Sequence, residues 1–454
     1  MNCAIVLAAG QGTRMKSKLP KVLHKVAGIP MLGHVLNTLE GAQICRKILV
    51  LGHGAKEIEE NIKDNLQVVY QWEQLGTGHA VMQAEKLIGP EDENVLVVCG
   101  DTPLLQVETL NNLLQKHQET DAVITVLTSI IKNPRGYGRI IRRDNLIKAI
   151  VEEKDANEEQ RAVNEINTGT YCFKGDFLKQ SLSRLSNRNS QKEYYLTDLI
   201  GIAVENGLRV EGYILEDIRE SLGINNKIQL AEAEKIMRLR VLERCMLEGV
   251  TIIDPDTTFI DGRVRIGADT IINPGTIIEG NSIIGEDCVI GPGVRVTDSI
   301  IGKGSNVQNS VILESIIGQN CKIGPFAYLR PGSELKDNVK IGDFVEIKKS
   351  IIGIGSKVPH LSYIGDSYIG ENVNIGCGTI TCNYDGKAKH QTIIEDGAFI
   401  GSNANLIAPV KVGKNSVIGA GSTISQDVPE EALGIARQRQ KNILNWVKKG
   451  KSKK

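Results

Sequence analysis

The 454-residue sequence has no net charge: 54 Lys and Arg balance 54 Asp and Glu. A balanced chain has no global attraction for nucleic acid or an anionic membrane, so any phosphate chemistry has to arise at local sites. Aromatic residues are scarce, at 4%. Apolar runs are short, and none approaches the ~20 residues of a membrane span. The opening MNCAIVLAAGQGTRM lacks a basic leader and its apolar run is too short for a signal peptide. The nine cysteines are odd in number, scattered and without a CxxC pair. That pattern offers neither a disulfide framework nor a zinc knuckle. Together these absences predict a reduced, cytoplasmic protein with no nucleic-acid and no membrane partner.

Glycine is what the sequence has in excess, with 47 residues beside 41% apolar and 24% charged. The chain is too apolar for disorder. Many glycines with few aromatics favour tight turns around an aliphatic core. The length predicts about two to four domains at ~100–200 residues each.

The two halves differ in pattern. Residues 1–224 alternate β-rich runs (Cys3–Ala8, Lys47–Gly52, Gln67–Gln71, Asn94–Cys99, Ala122–Thr128) with helical stretches such as Met31–Leu39 and His79–Leu87. This α/β order predicts a largely parallel sheet with ligands at the carboxyl ends of its strands. Asn225–Leu247 carries Ile228, Ala231, Ile236, Leu239, Leu242 and Met246 at helical spacing and reads as a linking helix. From Thr251 the period changes to six. Ile266, Ile272, Ile278, Ile284, Ile290 and Val296 form one run, Ile317 to Ile347 a second, and Ile400 to Ile424 a third. A sustained period of six is the hexapeptide signature of a parallel β-helix. The left-handed triangular form takes three hexapeptides per coil, so 251–436 would hold roughly ten coils and extend about 50 Å at ~4.8 Å per coil. The break at Thr381–Thr392 predicts a projecting loop.

Several residues are placed for chemistry. Leu7-Ala8-Ala9-Gly10 ends a strand and leads into Gln11-Gly12-Thr13-Arg14-Met15. Small residues there let free N–H groups cradle phosphate. Met15 breaks the GxGxxG pattern, and no GK[ST] follows. Arg14 and Lys21 add local positive charge. Asp101, after Cys99 and Gly100, suits a metal ligand or a helix cap. Arg139 could be a surface cation, and His24, His53 and His79 read as structural. In the second half Arg330, Lys348, His360, Tyr363, Asn374, Asn383 and Tyr384 interrupt the aliphatic rule. Arg330 and Lys348 are 18 apart, one coil, and should share a prism face; His360, 12 further, should lie on another. The cations could hold a sugar phosphate and the histidine could take a proton from an amine, or they could be rim charges and a corner filler. A zinc carbonic anhydrase needs three histidine ligands; this half has His360 and His390.

The string LAAGQGTRMKSKLPKVLH resembles the signature of sugar-1-phosphate nucleotidyltransferases. With the hexapeptide repeats, nearly the whole chain is similar to the bacterial family of bifunctional N-acetylglucosamine-1-phosphate uridyltransferases and glucosamine-1-phosphate acetyltransferases, in that family's domain order. The resemblance implies an α/β, Rossmann-like nucleotidyltransferase domain (1–227), a linking helix (228–248), a left-handed β-helix acetyltransferase domain (249–436) and a basic tail (437–454). It implies UTP and acetyl-CoA as cosubstrates, Mg2+ as cofactor, and a homotrimer. For uridyl transfer it implies that Leu7, Ala8, Ala9 and Gly10 hold the nucleotide and that Arg14 and Lys21 meet its phosphates. Gln71, Gly76 and Thr77 would meet uracil and ribose. Asp101, within Cys99-Gly100-Asp101, and Asn225 would hold the metal, and Gly138, Glu152 and Asn167 the sugar. For acetyl transfer it implies His360 as general base, Arg330 and Lys348 on the sugar phosphate, and Tyr363 and Asn374 on the sugar. Cys377, Asn383, Tyr384, Ser402, Ala420 and Arg437 would contact acetyl-CoA. Cys99 stands where the family often has Tyr or Ser, and Cys377 where some members have Ala, so Cys377 is not read as a nucleophile. One alternative stays open: a single-activity sugar-1-phosphate nucleotidyltransferase whose β-helix is an assembly or regulatory scaffold.

Overall fold

The computed structural model describes residues 1–62, 66–143 and 145–447; the end of the tail, Lys448–Lys454, lies outside the described residues. The chain divides into two compact units, Met1–Met237 and Arg238–Lys454. The division falls inside the helix Lys227–Leu247, ten residues beyond the boundary expected at 227.

The first unit is built on a nine-stranded sheet. Its main path runs Val210–Ile214, Ile124–Ile130, Glu165–Lys174, Asn94–Cys99, Asn2–Ala8, Arg46–Leu51, Gln67–Tyr70. Asn2–Ala8 is central and parallel to both neighbours. Its side chains alternate between two aliphatic cores: Cys3 and Ile5 face one, Ala4 and Val6 the other. That alternation is the period-two consequence of a strand buried on both faces. The expected strands are present within two residues at their ends, and the helix Thr77–Ala84 closes with a 3-10 turn at Glu85–Leu87. Glu165–Lys174, which the sequence pattern did not single out, runs antiparallel to both of its neighbours. A register shift interrupts its pairing between Asn167 and Tyr171.

The helix Lys227–Leu247 is where expected, but its apolar stripe is different. Ala233, Val241, Leu242 and Cys245 are buried, whereas Ile228, Leu239 and Met246 are exposed. Burial follows a narrow i, i+4 row rather than the wider set of aliphatics.

The second unit is a three-sided stack of parallel coils, with faces of 11, 10 and 9 strands. The six-fold aliphatics point inward and sit on one another: Ile272 on Ile290, Ile347 on Ile364, Ile400 on Ile418. Eighteen residues per coil hold for Leu329 on Ile347, but Ile301 lies 16 before its partner Ile317. Coils shorten where one side has five residues, as from Ile347 to Ile352 and from Ile364 to Ile369. The expected loop is seated between Cys382 and Thr392 and makes this coil 25 residues, Ser367 pairing with Thr392. Corner asparagines such as Asn372 and Asn403 have positive φ, as the turns require. Glycines after the inward aliphatics serve a different purpose. At Gly376 a Cβ would lie 2.6 Å from the Ser402 nitrogen, so glycine is needed for close backbone approach between coils. Buried hydroxyls complete the ladder at corners, with Ser299 N–H donating to Ser282 Oγ and Ser315 N–H to Ser299 Oγ.

This stacking makes neighbouring residues unequal. Ile301 is 1% exposed and Ile300 43%. Ile301→Ala is expected to lower the stability of the β-rich unfolding transition by about 2–5 kcal/mol, the cost of deleting a buried Leu or Ile side chain. Ile300→Ala should cost a small fraction of that in the same urea titration followed by circular dichroism.

Candidate functional sites

In the first unit, the carboxyl ends of three adjacent parallel strands converge: Ala8, Leu51 and Cys99. Gly100 N–H donates to Leu7 O at 2.9 Å, and His53 N–H to Ala9 O at 3.3 Å. Gly12 has φ of 62°, which turns the chain into the 3-10 segment Thr13–Met15 and carries Arg14 outward. Gly52 is required by contact: a Cβ would lie 2.7 Å from Gln71 O and 2.8 Å from Ala9 O. Gln71 is buried and donates to Gly76 O at 2.9 Å, so Gln71, Gly76 and the start of the helix at Thr77 form one corner of the site. Gln74, which sequence reasoning missed, donates to Ala9 O at 2.9 Å.

Asp101 and Asn225 are 124 residues apart in sequence and meet here, because Ile224 N–H donates to Asp101 O at 3.0 Å. The Lys21 ammonium lies between them, paired with Asp101 Oδ2 and 2.7 Å from Asn225 Oδ1. Arg14 Nη2 donates to the same Asn225 oxygen at 2.8 Å. A carboxylate and an amide oxygen thus converge on one cationic atom. Two hard oxygen donors, with phosphate and water to complete the shell, fit the way magnesium is held. Among the described residues no group of three His, Cys, Asp or Glu could hold a metal ion.

Gly138, Glu152 and Asn167 are also brought together. Asn167 N–H donates to Gly138 O at 2.9 Å, and a Cβ on Gly138 would lie 3.3 Å from the Glu152 carboxylate. The interrupted pairing after Asn167 frees its side chain, which donates to Tyr171 OH at 2.7 Å. Arg139 is not a surface cation: it is 2% exposed and its Nη2 pairs with Glu153 at 2.6 Å. Burial pushes the Cys99 thiol up to about 12, so it stays neutral beside the site. His24 is buried with Lys227 Nζ 3.2 Å away, His79 bonds Gln71 and Gln83, and His53 is exposed.

In the β-helix two groupings appear. Leu329 pairs with Ile347, so Arg330 and Lys348, the next residue of each coil, are stacked neighbours on one face as expected. Arg330 Nη1 pairs with Glu346 at 2.8 Å and Lys348 with Asp366 at 2.9 Å. Lys389 from the loop adjoins Lys348, which holds its ammonium below the ordinary lysine range. Tyr363 and Asn383 are part of this grouping, with Asn383 Nδ2 3.4 Å from Tyr363 OH and bonded to Asp366. Glu346, Asp366 and Lys389 were not read from the sequence.

The second grouping follows the end of the adjacent face. His360 closes the strand Lys357–His360, and Asn374 pairs with Lys357 in the next coil. In successive coils Cys377, Ser402 and Ala420 each stand two residues past the stacked Ile375, Ile400 and Ile418. They form a column along one edge, with Cys377 and Ser402 exposed. Arg437 Nη1 caps it by donating to Ala420 O at 2.6 Å. Tyr384 stands apart on the loop, exposed, its hydroxyl donating to Gly386 O at 2.8 Å.

Residues 3–219 match the family model described as nucleotidyl transferase, residues 260–333 that of the GMPPB C-terminal domain, and residues 391–426 the bacterial transferase hexapeptide, six repeats. The chain is 55% identical to the bifunctional protein GlmU of Heliobacterium modesticaldum over 445 residues, covering 98% of this chain and 97% of that protein. It is 54% identical to the bifunctional protein GlmU of Carboxydothermus hydrogenoformans over 446 residues, covering 98% and 99%. The chain belongs to the GlmU family. It therefore joins a nucleotidyltransferase to a hexapeptide acyltransferase in one bifunctional enzyme acting on small molecules. No helix among the described residues is long and apolar enough to cross a membrane.

Burial raises the Glu152 carboxyl above the ordinary glutamate range, with Thr197 donating to it at 3.4 Å in opposition. A raised carboxyl costs nothing when protonated in both folded and unfolded chains; the fold loses stability as the pH rises from the ordinary carboxylate range to the raised folded value, above which the penalty is complete. Glu152→Gln should therefore raise the thermal midpoint of the nucleotidyltransferase unit at about pH 8. The gain should vanish as the pH falls below the ordinary carboxylate range of about 4. Differential scanning fluorimetry across that interval reads both.

Proposed function

We propose that the chain makes UDP-N-acetylglucosamine in two steps. The β-helix transfers acetyl from acetyl-CoA to glucosamine 1-phosphate, and the first unit then couples the product to UTP with release of pyrophosphate. The observation that favours two activities over a scaffold is the cluster of three cations, Arg330 paired with Glu346, Lys348 paired with Asp366, and Lys389 beside Lys348. A β-helix used only for assembly has no need to gather two cations on one face and bring a third to them on a loop.

In uridyl transfer the chain's own residues position and neutralise. Leu7 to Gly10 and the free amides beyond them receive the nucleotide, while Gln71, Gly76 and Thr77 meet uracil and ribose. The backbone at Cys99 and Gly100 borders the ribose side. Arg14 and Lys21 meet the phosphates. Asp101 and Asn225 would hold Mg2+, which supplies further charge neutralisation on the phosphate oxygens when bound. Gly138, Glu152 and Asn167 hold the sugar, and its phosphate oxygen attacks the α-phosphorus in line.

In acetyl transfer Arg330 and Lys348 hold the sugar phosphate, and Tyr363 and Asn374 orient the ring. His360 takes the proton from the amine as it attacks the thioester. The column Cys377, Ser402 and Ala420, capped by Arg437, receives acetyl-CoA, and Asn383 and Tyr384, which stand with the other grouping and on the loop, meet it from a neighbouring copy. His360 and the cations stand on different faces of the protomer. A homotrimer, in which a neighbouring copy completes each acetyl site, accounts for that separation. The enzyme is proposed to work in the cytoplasm, where its nine unpaired cysteines are chemically at home.

Reciprocal substitutions test the reading. His360→Ala should lower acetyl transfer by ~10²–10⁴, the contribution typical of a general base, and spare uridyl transfer. Asp101→Ala should do the reverse, and chelation of divalent metal should stop uridyl transfer alone. Loss of both activities in either folded variant would refute two independent sites.

A further inference from the structure

Most strands of the β-helix have two or three residues, but Lys340–Asp343 and Lys357–His360 have four. The extra length brings Asp343 into register with His360. It also demands a glycine: a Cβ on Gly342 would lie 1.8 Å from Pro359 O, so no side chain fits between the two lengthened strands. Each strand then ends in a bulky residue at positive φ, Phe344 at 56° and Leu361 at 41°. Such conformations are costly for residues with a Cβ and persist where the surroundings enforce them. The Leu361 N–H is tied to Asp343 O at 2.9 Å. His360 Nδ1 is 2.8 Å from Asp343 Oδ1.

We propose that Asp343 is the positioning residue of the acetyltransferase site, fixing His360 in the tautomer that leaves Nε2 free to accept the substrate's proton. This rests on His360 being the base in the function proposed above. An ionised carboxylate only accepts hydrogen bonds, so the Nδ1 atom carries the hydrogen and the lone pair lies on Nε2. Hydrogen bonding to His360 holds the Asp343 carboxyl below the ordinary aspartate range, which keeps it ionised. In the reaction the amine nitrogen of glucosamine 1-phosphate forms a bond to the acetyl carbon and the carbon–sulfur bond breaks. The amine proton passes to Nε2, and from there to the departing CoA sulfur. The imidazolium formed between these transfers is held by Asp343 in the manner of a base–orienter pair. The charged group facing His360 from the preceding coil is Asp343.

The test uses the full chain carrying ¹⁵N-histidine, with the His360 resonances assigned by their loss in His360→Asn. In the parent the neutral His360 ring should show a protonated Nδ1. Asp343→Ala should shift it toward the Nε2-protonated tautomer and lower kcat for acetyl transfer roughly 10–100-fold, part of a general base's contribution, with KM for glucosamine 1-phosphate little changed. Asp343→Asn keeps an acceptor oxygen and should retain the tautomer and recover part of kcat. Uridyl transfer in the same samples controls for folding. If Asp343→Ala keeps kcat within about twofold, or keeps the Nδ1–H tautomer, while His360→Ala is inactive, the positioning role is refuted and the base stands. If His360→Ala remains active, the function reading fails and the positioning role with it.

Discussion

The second half of this molecule depends on one repeated interaction, the parallel hydrogen-bonded register between one coil and the next. Inward aliphatics sit on one another, and N–H groups along the strands are answered by the coil beside them. Once that register is set, whatever stands beyond the inward residue is copied along the prism as a column. Arg330 stacked on Lys348 and Cys377 stacked on Ser402 are consequences of the same ladder. A scaffold whose core is purely aliphatic thus lines up polar groups at a spacing of about 4.8 Å, suited to an elongated cosubstrate. The glycines that let coils approach closely are as necessary to this as the isoleucines, since a Cβ at Gly376 would push the Ser402 backbone away.

The first unit solves a phosphate problem by other means. Its charges are brought from far apart in sequence to the carboxyl ends of parallel strands, and the Lys21 ammonium there is shared by Asp101 and Asn225. The same two oxygens that favour a lysine are those suited to magnesium. The balance of the whole chain, 54 charges of each sign, conceals this local concentration.

Much of this was legible in the sequence because it is periodic or local. The period of six gave the β-helix, and the strand–Gly turn at Leu7–Gly10 gave the first unit's ligand-facing edge. The shortened coils were not anticipated, because a five-residue side such as Ile347–Ile352 interrupts a hexad count without changing which residues point inward. Glu165–Lys174 was missed because its antiparallel insertion leaves no mark in an α/β alternation. Arg139 looked like a surface cation because its partner Glu153 lies across a hairpin whose pairing only the fold reveals. Asp343, Asp366 and Lys389 escaped notice for a related reason. Asp343 and His360 are 17 residues apart, and Lys348 and Asp366 are joined across coils, so no motif links them. Lys389 reaches the cluster from a loop with no repeat to register it.

If stacking register builds the proposed acetyl-CoA track along one edge, the cosubstrate should shield Cys377 from reaction. This cysteine is exposed at the start of the column, and Cys45, also exposed, lies in the other unit. The measurement is the alkylation rate of each residue, followed by mass spectrometry of the full chain with and without acetyl-CoA. The account predicts that acetyl-CoA slows alkylation of Cys377 and leaves Cys45 unchanged. An unchanged rate at Cys377 with acetyl-CoA at a concentration that saturates acetyl transfer would contradict it.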